Sequence, residues 1–473
     1  MIEYDAIAIG TGSAMNVVEA ILSKNSNAKI AVVDKDEPGG ICLTKACIPT
    51  KILLYPAELI RNIEKAKEFG IDAEIKKIDF KNIMERMHSK INPTIKMIER
   101  GLSSSSNIDY YREVAEFVEP YTMKVGDKLI KSNLILLCSG SKPSIPHLKG
   151  LDGIEYHTSD TILNISRLPE SLAIIGGGYV AAEYGHFFSC MGSKVTIIGR
   201  NPRFVPSEEP EISELLRREM GKHMSIITNH EVKEVRQEGS FKEITIVDRK
   251  SGEKKTLKAE EILIATGRAS NSDILKPEKG GIETDERGWI KVNEYLESTQ
   301  KNVWAFGDAI GKHMFKHVAN YESKIVYYNA VLGRKVKVDY HAVPHAIFTY
   351  PEVAGVGMKE EEAIKTYGKE RIAIGFHKYE DTGKGEAMGL KNYFFKVIID
   401  RETNRILGAH TIGPYASILI QEVVNLMYTK EQSSVIYEGM HIHPSLSEAV
   451  ERAFYSLMDV ETYHHLIKHL ISF

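Results

Sequence analysis

Two cysteines, Cys42 and Cys47, stand five positions apart in the segment Gly39-Gly40-Ile41-Cys42-Leu43-Thr44-Lys45-Ala46-Cys47-Ile48-Pro49-Thr50-Lys51. Such a pair can hold half of a metal site, or it can form a disulfide that opens and closes during turnover. A continuous helix rises about 1.5 Å per residue, so five residues span about 7.5 Å, beyond the usual Cα–Cα reach of a disulfide. A bridge therefore needs Cys42 in an irregular turn and Cys47 at or near a helix start, with Pro49 in the first turn, where its missing N–H costs nothing. The positive end of that helix favours thiolate at Cys47. A metal site needs more ligands, yet Cys138 and Cys190 stand alone in apolar stretches. No metal is expected, and the pair reads as a redox-active disulfide.

Electrons must reach such a disulfide, and the flanking sequence holds two units suited to carrying nucleotides. Tyr4 to Gly10 reads as an apolar strand, followed by the turn Gly10-Thr11-Gly12, a helix from Ser13 to Ser23 and a strand from Lys29 to Asp34. Glycines at that turn let backbone amides approach a pyrophosphate, and Asp34, 22 residues past Gly12, suits a ribose hydroxyl. Met15 stands where a third glycine is usual, so this motif alone is weak. Ser171 to Arg200 repeats the pattern: strand Leu172 to Ile175, turn Gly176-Gly177-Gly178, helix Tyr179 to Met191 and strand Lys194 to Ile198, with Ala181 completing G-x-G-x-x-A. Two units imply two nucleotide cofactors; the alternative is one nucleotide and a duplicated fold. In the second unit Gly199, Arg200 and Arg203 follow the strand, with no carboxylate for a ribose 2′-hydroxyl. A guanidinium matches a 2′-phosphate, which favours NADP(H) over NAD(H); otherwise Arg200 is an exposed loop arginine.

Around these units, Pro49 to Phe69 and Phe80 to Leu102 read as helices, the second interrupted at Pro93. Leu134 to Gly140, Glu261 to Ala265 and Val303 to Ala309 read as buried strands ending in small-residue turns. From Val338 the pattern becomes α+β, with strands Val353 to Val356, Arg371 to Phe376, Tyr393 to Asp400 and Arg405 to Thr411, helix Ala416 to Tyr428, and a last helix Glu448 to Met458. The 473 residues allow two to four domains, and a net charge of −3 without a long basic run argues against nucleic acid. No apolar run reaches membrane-spanning length, and the start lacks the features of a signal peptide. Four cysteines do not make a disulfide-stapled secreted chain, so a cytoplasmic location is expected.

Together these motifs resemble the FAD-dependent pyridine nucleotide–disulfide oxidoreductases, the group holding mycothione, glutathione and mercuric reductases and dihydrolipoamide dehydrogenase. The resemblance spans nearly the whole chain. It implies an α/β fold of two Rossmann-like dinucleotide-binding domains plus a C-terminal α+β dimerisation domain. The implied divisions are an FAD domain at 1–148, an NAD(P) domain at 149–268, a central segment completing the FAD domain at 269–338, and an interface domain at 339–473. Gly10, Gly12, Ser13 and Asp34 resemble the FAD adenosine–pyrophosphate site, and Gly140, Asp308 and Ala319 fall in its further FAD contacts. Gly176, Gly178, Tyr179, Arg200 and Gly267 fall in the nicotinamide-nucleotide site. Thr44 and Ala46 replace the family's usual Asn and Gly.

By that resemblance, hydride passes from the nicotinamide to FAD and then to the Cys42–Cys47 disulfide. Cys47 is the flavin-side thiol and Cys42 the interchange thiol. Lys51 and Glu183 form an ion pair beside the flavin, and Tyr179 covers it. His443 and Glu448 are the acid–base pair, and His443 reaches the disulfide of a partner subunit, which makes the protein a homodimer. Without the resemblance, His443 and Glu448 read as polar residues capping the last helix; His441 reads as structural. The substrate is expected to be a small-molecule disulfide. Mercury is disfavoured, since His464 to Phe473 holds no cysteine pair, and no arginine marks the first helix as in glutathione reductases. The expected activity is an NADPH-dependent low-molecular-weight disulfide reductase, with NAD-linked dihydrolipoamide dehydrogenase as the alternative. A non-catalytic flavoprotein sensor is disfavoured, because every catalytic group is present.

Overall fold

The computed structural model describes residues 1–429 and 432–471; Ser472 and Phe473, the end of the cysteine-free tail read above, lie outside the described residues. The first unit holds β1 (Ala6–Ile9), α1 (Ala14–Lys24), β2 (Ile30–Val33), α2 (Gly40–Thr44), α3 (Cys47–Lys65), α4 (Phe80–Ser104), β3 (Ile108–Tyr111) and β4 (Ile135–Leu137). The second holds β5 (His157–Thr158), β6 (Ser171–Ile175), α5 (Tyr179–Met191), β7 (Lys194–Ile198), α6 (Pro210–Gly221), β8 (Ser225–Ile227) and β9 (Glu261–Ile264). The chain then returns to the first sheet through β10 (Val303–Ala305), followed by α7 (Lys316–Val326). Both sheets are parallel and five-stranded, in the orders β3-β2-β1-β4-β10 and β8-β7-β6-β9-β5. The first four strands of the two orders correspond, and the fifth comes from the end of the first unit (β10) but from the start of the second (β5); the chain carries two Rossmann-like layers. The inner strands β1, β2 and β4 of the first sheet are buried on both faces and accordingly read as unbroken apolar runs.

The C-terminal part holds β11 (Pro344–Ile347), β12 (Val353–Gly357), α8 (Glu360–Tyr367), β13 (Ile372–Lys378), β14 (Phe394–Asp400), β15 (Arg405–Ile412), α9 (Ala416–Thr429), α10 (Ser447–Tyr455), β16 (Leu457–Met458) and α11 (Val460–Ile471). Its six-stranded sheet is antiparallel, in the order β11-β12-β15-β14-β13-β16. No helix among the described residues is long and apolar enough to cross a membrane.

Three local expectations change. Cys42 lies in the short helix α2 rather than in an irregular turn, whereas Cys47 starts α3 with Pro49 in its first turn, as read from the sequence. Pro93 does not interrupt α4, whose buried Phe80, Met84, Met87, Ile91, Ile95 and Leu102 continue past it. Packing of that face outweighs the roughly 3 kcal/mol cost of an interior proline. The last helix of the sequence reading stops at Tyr455; β16 adds to the sheet edge and α11 follows.

Charge holds the second unit against the C-terminal sheet. The Lys396 ammonium, fully buried on β14, sits 2.6 Å from Glu211, 2.6 Å from Glu360 and 3.5 Å from Glu209. Tyr463 donates to Glu211 at 2.5 Å, and His464 lies 2.5 Å from Glu360. Alongside, His345 bonds both oxygens of buried Glu208 at 3.0 Å. Three of these carboxylates come from one turn, Glu208-Glu209-Pro210-Glu211, and their cations from the C-terminal part.

Candidate active site

Glycine geometry builds the cysteine segment. Gly39 and Gly40 adopt φ of 114° and 70°, a region that disfavours a side chain, and so turn the chain into α2. A Cβ on Gly40 would lie 2.8 Å from the Gly12 Cα, so the cysteine segment rests backbone to backbone on the first nucleotide turn. Non-helical Lys45 and Ala46 separate α2 from α3. That break shortens the span between the cysteines and brings the two free thiols into hydrogen-bond contact. The contact splits their acidities. Cys47, accepting from Cys42 and facing the Lys51 ammonium, is lowered to about 7 against the opposing effect of burial. The hydrogen bond to Cys47, with burial, pushes the Cys42 thiol up, while Lys316 and Lys51 act against it. In the dithiol form, alkylation of the Cys47 peptide by iodoacetamide, followed by mass spectrometry, is therefore expected to rise with a midpoint near pH 7 and to shift upward in Cys42→Ser. A midpoint above 8.5 in the unmodified protein, the value of a free thiol, would contradict this assignment.

Beside the thiols, Lys51 Nζ meets both Glu183 oxygens at 2.8 and 2.7 Å. The Phe348 amide donates to Glu183 at 3.0 Å, and the Phe348 ring lies 4.5 Å from the ammonium. α3 and α5 thus lock the two units together at the thiols.

A continuous cleft of about 1540 Å³ runs through this point. It is lined by Gly10, Gly12, Ser13 and Asp34 of the first unit and by Gly140, Asp308 and Ala319, together with the cysteines, Lys51 and Glu183. From the second unit come Gly176, Gly178, Tyr179, Gly267 and Arg200. The two turns match: a Cβ on Gly10 would lie 2.2 Å from the Cys138 carbonyl oxygen, and one on Gly176 lies 2.1 Å from that of Ala265. Asp34 accepts from the Thr11 amide at 2.8 Å and hydroxyl at 2.5 Å. Burial raises the Asp308 carboxyl, against a 2.5 Å hydrogen bond from Ser141 and the charge of Arg268. Arg203 does not line the cleft.

His443 and Glu448 do not line it either. His443 Nδ1 is 3.0 Å from Glu448, and its side chain is 73% exposed. Glu448 also accepts from the Ser445 amide at 3.1 Å and from Arg452 at 3.0 Å, and the bond to His443 leads the effects holding its carboxyl below the usual range. Around them Met440, Ile442 and Tyr455 are exposed, an apolar surface that suits a partner. His441 bridges to Glu422 at 2.7 Å, the structural place expected of it.

Residues 4–323 match the family model described as pyridine nucleotide-disulphide oxidoreductase, and residues 343–454 match its dimerisation domain. The chain belongs to this family. It is an FAD-dependent NAD(P)H–disulphide oxidoreductase that dimerises through its C-terminal domain. Among related oxidoreductases, mycothione reductase of Mycobacterium tuberculosis is 32% identical over 96% of this chain and 99% of its own length. A dihydrolipoyl dehydrogenase of Synechocystis is also 32% identical, over 96% and 98%. The solved Cu(II) complex of the HOCl-induced flavoprotein disulfide reductase RclA from Escherichia coli superposes with a TM-score of 0.84 at 27% identity, covering 96% of this chain and 99% of that one.

The residues present fit the family's flavin. The cleft wall holds a buried Ser139 hydroxyl without a partner among the described residues, and Asp34 and Asp308 line it. Several cleft residues carry no motif that the sequence reading used. Lys316 Nζ bonds the Ser13 hydroxyl at 2.9 Å, Phe315 stacks on His317 at 5.3 Å, and Phe315 lies 6.4 Å from Tyr179. One signal for them was available, the helix start shortly after Gly307-Asp308, since helix N-termini gather at anion sites.

Proposed function

We propose that the protein is an NADPH-dependent reductase of a small-molecule disulfide. The observation that carries the nucleotide choice is the matched register of the two sheets. Val33 ends β2 and Asp34 follows; Ile198 ends β7 and Gly199-Arg200 follows, with Arg200 in the cleft wall. That register sets Gly199 at the place of Asp34, with Arg200 one residue further on; a guanidinium beside this strand end, with no carboxylate at it, suits a 2′-phosphate.

Gly10, Gly12, Asp34, Gly140 and Asp308 would hold FAD, which would supply the hydride and two-electron chemistry linking the nicotinamide to the cysteine pair. The chain's own residues do the rest. Lys51, fixed by Glu183, keeps a cation near Cys47 and favours its thiolate. Cys42 holds its proton, so its attack on a substrate disulfide needs a base. His443 of the second subunit, oriented by Glu448, takes that proton as Cys42 sulfur bonds one substrate sulfur and the other leaves as thiolate. His443 then protonates that leaving thiolate. Cys47 attacks the Cys42 sulfur of the mixed disulfide, expels the second substrate thiolate, which takes a solvent proton, and restores the bridge. The exposure of His443 and its absence from the residues lining the cleft support a site shared between subunits.

A second reading, NAD-linked dihydrolipoamide dehydrogenase, is favoured by Glu231, a carboxylate that lines the cleft near Arg200. Glu231 is paired with Lys233 at 2.6 Å, which leaves it less available to a ribose. Steady-state assays of Arg200→Ala with lipoamide, glutathione disulfide and other small disulfides decide between the two. The KM for NADPH is expected to rise about tenfold to a hundredfold, the worth of a hydrogen bond to a charged group, with NADH turnover unchanged. Preference for NADH in the unmodified enzyme would overturn the NADPH reading.

A further inference from the structure

α11 carries two histidines one helical turn apart, His465 and His469, and both are exposed. Their ring centroids lie 4.9 Å apart with planes at 80°. Neither ring has a hydrogen bond or ion pair among the described residues, whereas the neighbouring His464 is committed to Glu360. We propose that His465 and His469 form a chelating site for a borderline divalent transition-metal ion, Cu²⁺ before Ni²⁺ and Zn²⁺.

The spacing of the two rings matches that of a two-histidine chelate. A metal about 2 Å from one nitrogen of each imidazole sits about 3 Å from each ring centre, and cis coordination then places the centres about 4.5 to 5 Å apart. The observed spacing meets this without a change of backbone. Histidines four apart on a helix share one face, the arrangement that helical zinc motifs use. The pair also lies in the last two turns of α11, where unpaired carbonyls place partial negative charge that favours a cation. Two imidazoles and water suit a tetragonal cation, and the divalent order puts Cu²⁺ first. Binding needs neutral rings, so it weakens on acidification. A metal spanning the two turns ties them together and stabilises the end of the helix.

The test titrates Cu²⁺ into the holoenzyme with the Cys42–Cys47 bridge closed, so that thiols do not compete, and reads electron paramagnetic resonance. One copper per chain with coupling to two nitrogens is expected. His465→Gln or His469→Gln is expected to lose the two-nitrogen signature and weaken binding at least tenfold, while His464→Gln retains both. All three side chains are exposed, so folding is checked simply by flavin absorbance. Undiminished copper binding in the His465→Gln/His469→Gln double variant would overturn the site. So would a copper signal that vanishes in Cys42→Ser/Cys47→Ser and survives in the histidine variants.

Discussion

Cys42→Ser is expected to keep its FAD and lose disulfide reduction by at least about a thousandfold, the scale of removing a nucleophile that acts as one unit with its base. The fold should not suffer, because the Cys42 side chain is only half-buried and serine is nearly isosteric. The same variant tests whether each site draws on two chains. His443→Ala is expected to lose about a hundredfold to ten-thousandfold as a homodimer. Mixed dimers of the two variants hold one site with both defects and one with neither if His443 serves the opposite chain, so about half of the unmodified activity returns. If each chain serves itself, every site carries a defect and nothing returns. Disulfide turnover by Cys42→Ser within tenfold of the unmodified enzyme would dismiss the mechanism.

The second large effect lies away from the chemistry. Lys396→Met is expected to cost about 3 to 5 kcal/mol of stability at neutral pH, because three buried carboxylates lose their cation. Lys396 is itself held charged, its acidity reduced by Glu211, Glu209 and Glu360 against the effect of burial. The Glu211 carboxyl is held below its usual range by Lys396, against burial. A carboxyl depressed in the folded state contributes stability above its unfolded value and loses it as pH falls through the folded value. The unmodified protein therefore weakens on acidification through this group. In the variant, Glu211 has no cation and gains by taking a proton, so the gap between the two proteins narrows toward pH 5. Urea unfolding at pH 7.5 and 5.0 measures both. A difference below 1 kcal/mol at pH 7.5 would show that the cluster tolerates an unbalanced charge.

What could be read from the chain alone follows from how local each signal is. Both nucleotide units were legible because glycine spacing, flanking apolar strands and Asp34 all lie within about thirty residues, the size of one β-α-β unit. The cysteine segment was legible through its own spacing, although its resolution into two helices depends on Gly40 meeting Gly12, a contact outside the motif. Pro93 misled because local propensity carries no information about the buried face of α4. The Glu208-Glu209-Pro210-Glu211 turn looks like a solvated acidic loop, and Lys396 looks like an interruption in Phe394–Asp400, until the fold puts them together. Lys316 and Phe315 reach the cleft only because the chain returns to the first sheet after the second unit. α11 hides its buried Val460, Tyr463 and Ile467 among histidines and charged residues.

The contact between Gly12 and Gly40 places no side chain between the nucleotide turn and the sulfur-bearing segment. Their separation is set by main chain against main chain, with no rotamer to relax and no methylene to add or remove. Point changes elsewhere in the cleft wall can alter which disulfide is accepted while leaving this spacing untouched. Substrate preference is thus free to drift among descendants of such a chain, and the electron path is not.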